Sequence, residues 1–97
     1  MGIRVTEYNP CTNTWRNMPS LQKERHFVHM VCTLDNKIFV LGGDFRGDPT
    51  STCEMLDLSD NKPHWRFIAS SEHYSGVAAV VVGRKIYVLV QVLRCMM

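Results

Sequence analysis

Apolar residues in this chain fall in short runs separated by polar, turn-forming clusters, and no apolar face is sustained at helical spacing over three turns. Runs such as "HFVHMVCTL" and "KIFVLGG" are rich in Val, Ile, Phe and Leu, residues that fit a pleated, half-buried surface. "VAAVVV" is apolar at every position, as expected of a strand covered on both faces. Asp35-Asn36 and Gly83-Arg84 part such runs by two residues, and Asn, Asp and Gly tolerate the positive φ that a two-residue hairpin turn demands. The pattern predicts an all-β chain with strands over 3–9, 14–17, 26–34, 37–42, 52–58, 64–69, 75–82 and 85–92.

The pattern also repeats. Lys37-Ile38-Phe39-Val40-Leu41 returns as Lys85-Ile86-Tyr87-Val88-Leu89, 48 residues on. At the same spacing "TEYNP" reads onto "EMLDL", which sets Tyr8-Asn9 over Leu56-Asp57. Trp15 and Trp65 stand 50 apart, each followed by Arg. A period near 50 residues made of four strands is the mark of a propeller blade.

With Gly42-Gly43 closing a strand, Glu7-Tyr8-Asn9-Pro10 followed by Trp15, and Arg25 set 13 residues before Ile38, the sequence resembles kelch repeats over roughly residues 3–91. The resemblance implies an incomplete kelch β-propeller of about two blades. Residues 3–17 would supply the outer strands of one blade, 26–69 a complete blade, and 75–92 the inner strands of a further one. Tyr8, Trp15, Gly42, Gly43 and Trp65 would then be structural. The glycines would permit a sharp turn close to other backbone, and the tryptophans would fill the wedge between blades. Eight strands do not close a propeller ring. A partial domain, marginal by itself and prone to associate through its edge strands, is therefore expected. Val90-Gln91 stands where the second copy should carry its double glycine.

Composition narrows the function. The chain has 97 residues, 45% apolar and 21% charged, with a net charge of +2. That describes one small globular domain without the basic surface of a nucleic-acid binder. The longest apolar run is far short of the ~20 residues of a membrane-spanning helix. Four cysteines without a Cys-x-x-Cys pair, and no secretory signal, point to reduced thiols and a cytoplasmic setting. "MGIRVT" fits a loose myristoylation pattern, but the favoured reading is that Val5 and its neighbours begin a strand.

Chemistry is sparse. His26-x-x-His29 would place its rings on opposite faces of a strand, and nothing completes a metal set. Arg46-Gly47-Asp48 is an adhesion tripeptide by letter only. The paired aspartates read as turn residues bonding their own backbone. No catalytic residue, metal or cofactor is expected.

The resemblance instead implies a protein-binding module whose loops, at 18–25, 44–51 and 69–74, share one rim. Lys23, Arg25, Arg46, Asp48, Ser70, Ser71, Glu72 and His73 are the candidate partner-binding residues, suited to an extended or acidic peptide such as a client's degron. His73 replaces, in the third blade, the arginine that Arg25 supplies in the second. "EYNPCTNTW" is most similar to BTB-kelch proteins, substrate adaptors of a cullin-3 ubiquitin ligase, and the cullin would be reached only through a BTB domain not contained in these residues. An actin-associated kelch protein and an oxidase-like enzymatic propeller are the alternatives.

Overall fold

A computed structural model describes residues 4–26, 30–45, 48–70 and 76–90. Ten strands occur there: β1 (Val5–Asn9), β2 (Thr14–Met18), β3 (Met30–Leu34), β4 (Lys37–Leu41), β5 (Asp44–Phe45), β6 (Asp48–Pro49), β7 (Cys53–Asp57), β8 (Trp65–Ile68), β9 (Gly76–Val82) and β10 (Lys85–Val90). Every pairing is antiparallel, and the described residues contain no helix. Strands β3-β4-β7-β8 form one four-stranded sheet, a whole blade; β1-β2 and β9-β10 are separate hairpins. The two-residue strands β5 and β6 pair within the β4–β7 connection, where sequence patterning shows only a loop.

The sequence repeat is a repeat of register. Leu34 pairs with Lys37 and Met30 with Leu41; 48 residues on, Val82 pairs with Lys85 and Ala78 with Leu89. Tyr8 lies opposite Trp15 as Leu56 lies opposite Trp65. The hairpin β9-β10 is thus an inner half blade like β3-β4, and β1-β2 is an outer half blade like β7-β8.

Alternation along the strands gives the whole blade two apolar faces. On one, Val40, Leu56 and Trp65 pack with Leu21, and Val5 and Met18 of the first hairpin close over them. On the other, Met30, Leu41 and Cys53 meet Ala79, Ile86 and Val88 of the last hairpin. Leu56 is fully buried, a contribution of roughly 1.5–3 kcal/mol. The hairpin tips also meet, through an exposed Arg84–Asp35 ion pair at 2.8 Å.

The turns follow their residues. Asp35 and Asn36 take φ of 53° and 62°, the left-handed pair a two-residue hairpin needs. Gly42 and Gly43 leave β4 with φ of 78° and 105°. A Cβ on Gly42 would stand 3.3 Å from the Thr50 carbonyl oxygen, so both backbone angle and space disfavour a side chain. At the equivalent point of the second copy the strand does not turn away: the register shifts between Leu89 and Val90, and Val90 pairs with Gly76. The shift leaves Val77 of β9 as the unpaired residue, as in a β-bulge.

The two tryptophans are equivalent in register and opposite in exposure. Trp65 is 3% exposed, whereas Trp15 is 68% exposed, which differs from the expectation that both fill wedges between blades. The cause is geometric. Val5 and Met18 turn toward the whole blade, so Tyr8 and Trp15, on the other face of the hairpin, look away from it and pack on each other at 4.9 Å between ring centroids. The Tyr8 hydroxyl donates to Asn13 Oδ1 at 2.7 Å.

Replacing Gly42 by Ala should lower stability by about 1–3 kcal/mol, from a left-handed backbone together with a close contact. Gly83→Ala, with φ of +61° and nothing within 4 Å of the added Cβ, should cost less. Urea midpoints of the two variants check the order.

Candidate partner-binding rim

The connections 18–25 and 42–52 meet at one end of the whole blade, and a single arginine joins them. Arg25 donates through Nη1 to the carbonyl oxygens of Gly42 at 2.8 Å and Thr52 at 2.7 Å, the two feet of the β4–β7 connection. Its Nε and Nη2 donate to Glu54 Oε2 at 3.0 and 2.9 Å. Both side chains of this ion pair are 0% exposed.

Glu54 gathers the first connection as well. Its Oε1 accepts the Gln22 backbone N–H at 2.6 Å and its Oε2 that of Lys23 at 3.1 Å. Nearby, Trp65 Nε1 donates to the Pro19 carbonyl at 2.8 Å, and Gln22 Nε2 donates to the Trp65 carbonyl at 2.7 Å. An isolated buried carboxylate would cost several kcal/mol, so the site holds only because charge and hydrogen bonds are matched together. No buried side-chain polar atom among the described residues is left without a partner.

The third connection reaches the same end. Ala69 lines an open apolar cavity of about 210 Å³ together with Gly42, Ser51 and Leu41 of the whole blade and Ile86 and Val88 of the last hairpin.

The candidate residues divide accordingly. Lys23 is half-buried, with its backbone N–H held by Glu54. Ser70 is exposed at the head of the third connection. Asp48 lies in β6, its backbone paired to Phe45. Arg46, Ser71, Glu72 and His73 fall outside the described residues. Arg25 departs from its expected place: no part of its guanidinium meets solvent, and it braces the rim from inside.

Glu54 escaped sequence reasoning, although a signal was present. It sits in "CEMLD" in phase with Leu56, an acid on the apolar face of a strand, and such an acid demands a buried cation.

Other titratable groups are modest. Burial pushes the Cys32 thiol above its ordinary pKa, and Cys53 is buried in the core, as small apolar residues would be. Hydrogen bonds from the Ser59 hydroxyl and backbone N–H hold the Asp57 carboxyl below its ordinary value, the local turn bonding expected of it. His26 contacts Glu24 at 3.0 Å on the surface; His29 lies outside the described residues. Among the described residues no three His, Cys, Asp or Glu side chains gather as a metal set would.

Comparison with known proteins places this architecture. Residues 29–71, the span of the four-stranded sheet, match the Kelch motif. An F-box/kelch-repeat protein of Arabidopsis thaliana is 39% identical over 67 residues, 69% of this chain and 22% of that protein. A second, also from Arabidopsis thaliana, is 31% identical over 74 residues, 76% of this chain and 20% of that protein. The chain thus spans about a fifth of the length of the curated relatives it matches. The described residues form antiparallel sheets, one of four strands flanked by two hairpins, an all-β arrangement consistent with part of a kelch propeller. The relatives carry an F-box in their names and lend no support to the more specific BTB-kelch resemblance.

Arg25→Ala should destabilise the chain by about 3–5 kcal/mol, because it leaves a buried carboxylate unpaired. Arg25→Lys should rescue little, since one ammonium cannot serve Glu54 and two carbonyls in the same plane. Chemical denaturation of the two variants beside Ser70→Ala, expected within about 0.5 kcal/mol of the parent, measures this.

Proposed function

We propose that this chain is the protein-binding module of a ubiquitin-ligase substrate adaptor acting in the cytoplasm, and that its work is recognition and not catalysis. The observation carrying this reading is the convergence of three connections on one end of a rigid blade, with the first two locked together by Arg25 and Glu54. Loops fixed at their feet suit the capture of an extended peptide at low ordering cost. Arg46 and Asp48 in the β4–β7 connection, Lys23 in the first and Ser70 to His73 in the third offer charge and hydroxyl groups for a client's degron.

The link to a ligase rests on the relatives' names, which pair kelch repeats with an F-box. Recruitment of cullin-3 through a BTB segment is the finer form of the proposal, motivated by the likeness of "EYNPCTNTW" to that group.

Affinity capture from cytosol, quantified against variants, tests it. At least one protein should be enriched by the parent, lose about tenfold of its recovery with Arg46→Ala/Asp48→Ala, and keep it with Lys62→Glu at the opposite end of the blade. Recovery that ignores the rim and follows Lys62 would end the reading. Cullin-3 in the captured material, from the protein in its full cellular form, would support the finer version, and its consistent absence would remove it.

A further inference from the structure

The first two rim connections are each stitched internally and share one buried knot. In the first, Trp65 Nε1 donates to the Pro19 carbonyl and Gln22 Nε2 to the Trp65 carbonyl. In the second, the Gly42 N–H donates to the Thr52 carbonyl at 3.1 Å and the Thr50 N–H to the Gly43 carbonyl at 2.8 Å. The Thr50 and Thr52 hydroxyls bond each other at 2.9 Å.

The Arg25–Glu54 pair joins the two in both directions. Arg25 belongs to the first connection, and its carbonyl acceptors, Gly42 and Thr52, belong to the second. Glu54 follows directly on the second, and the amides it accepts, Gln22 and Lys23, belong to the first.

The cost of opening either connection alone follows from this arrangement. If 18–25 lifts away, Arg25 leaves with it, and the Glu54 carboxylate loses the guanidinium and both amides while β7 still holds it in the sheet. If 42–52 lifts away, Arg25 Nη1 loses both of its carbonyls while Nε and Nη2 stay bound to Glu54. Each separate opening strands a buried charge or a buried donor. A joint opening lets water meet all of these groups at once.

We propose that Arg25 and Glu54 make the two connections one cooperative unit, which opens and closes together, so that whatever steadies one steadies the other. Linkage makes the effect reciprocal and equal in both directions. A client gripping the β4–β7 connection would therefore also order 18–25 without touching it. That consequence rests on the proposed function. The cooperativity itself does not, and its test uses no client.

Residue-resolved amide hydrogen exchange on the protein in its full cellular form tests this, under conditions where exchange reports the opening equilibrium. The reporters are Gln22 and Lys23 in the first connection and Gly42 and Thr50 in the second. The control is Leu58, whose N–H donates to the Asn36 carbonyl at the opposite end of the sheet. Gln22→Ala removes the side-chain bond to Trp65 and keeps the N–H that Glu54 accepts. It should lower the protection of Gln22 and Lys23 by roughly threefold to tenfold, lower that of Gly42 and Thr50 by the same factor, and leave Leu58 unchanged. Thr50→Val, which removes the hydroxyl pairing inside the second connection, should also lower all four together. An Arg25→Lys background should break the correspondence, so that Gln22→Ala reaches only its own connection; the two single variants decide the matter should that background fail to fold. Unchanged protection at Gly42 and Thr50 in Gln22→Ala, or at Gln22 and Lys23 in Thr50→Val, would overturn the proposal. So would an equal loss at Leu58, because the sheet would then open only as a whole.

Discussion

The structure turns on one buried ion pair. Arg25 and Glu54 lie 29 residues apart in sequence, in a connection and in the third strand of the whole blade, and neither meets water. Two charges in an apolar interior are tolerable only when their hydrogen-bonding groups are met. Glu54 is met by two backbone amides and the guanidinium; Arg25 is met by the carboxylate and two backbone carbonyls. One contact thereby fixes the path of the chain into the blade, the exit from β4 and the entry to β7. Hydrophobic burial holds the sheet together, but it has no direction. The ion pair is what specifies where the loops stand.

The glycines belong to the same arrangement. The Gly42 carbonyl that Arg25 grips is presented by a left-handed backbone at the end of β4. In the second copy β10 runs on to Val90 through a register shift opposite Val77, and sequence puts His73 where the arginine would be. The bracing arginine and the turning glycine therefore vary as a unit within this chain: without the presented carbonyl there is less for a guanidinium to hold.

Much of the fold was legible because period and register are properties of short segments. The two "KI-aromatic-VL" runs, the two-residue turns and the tryptophan spacing all reappear as equivalent strands with equivalent partners. What sequence could not supply was which side each equivalent residue would find occupied. Trp15 and Trp65 carry the same local pattern, yet one is covered and the other bare, because burial depends on the neighbouring blade and not on the hairpin itself. The rim was legible as a set of loops. The role of Arg25 was not, since a charged residue in a loop reads as exposed until its acid is found, and Glu54 was hidden among apolar letters. The short β5-β6 pairing likewise carries no periodic signal, being two residues on each side.

The rim loop of the whole blade is clamped by its peptide groups: Arg25 holds the carbonyls of Gly42 and Thr52, and any amino acid has a carbonyl. The clamp thus reads peptide groups and not side chains, while Gly43, with its left-handed backbone, and the buried Thr50, whose N–H donates to the Gly43 carbonyl at 2.8 Å, still serve the frame between the anchors. If the rim binds as proposed, substitution elsewhere in that connection alters the binding surface while the clamp beneath stays as it is.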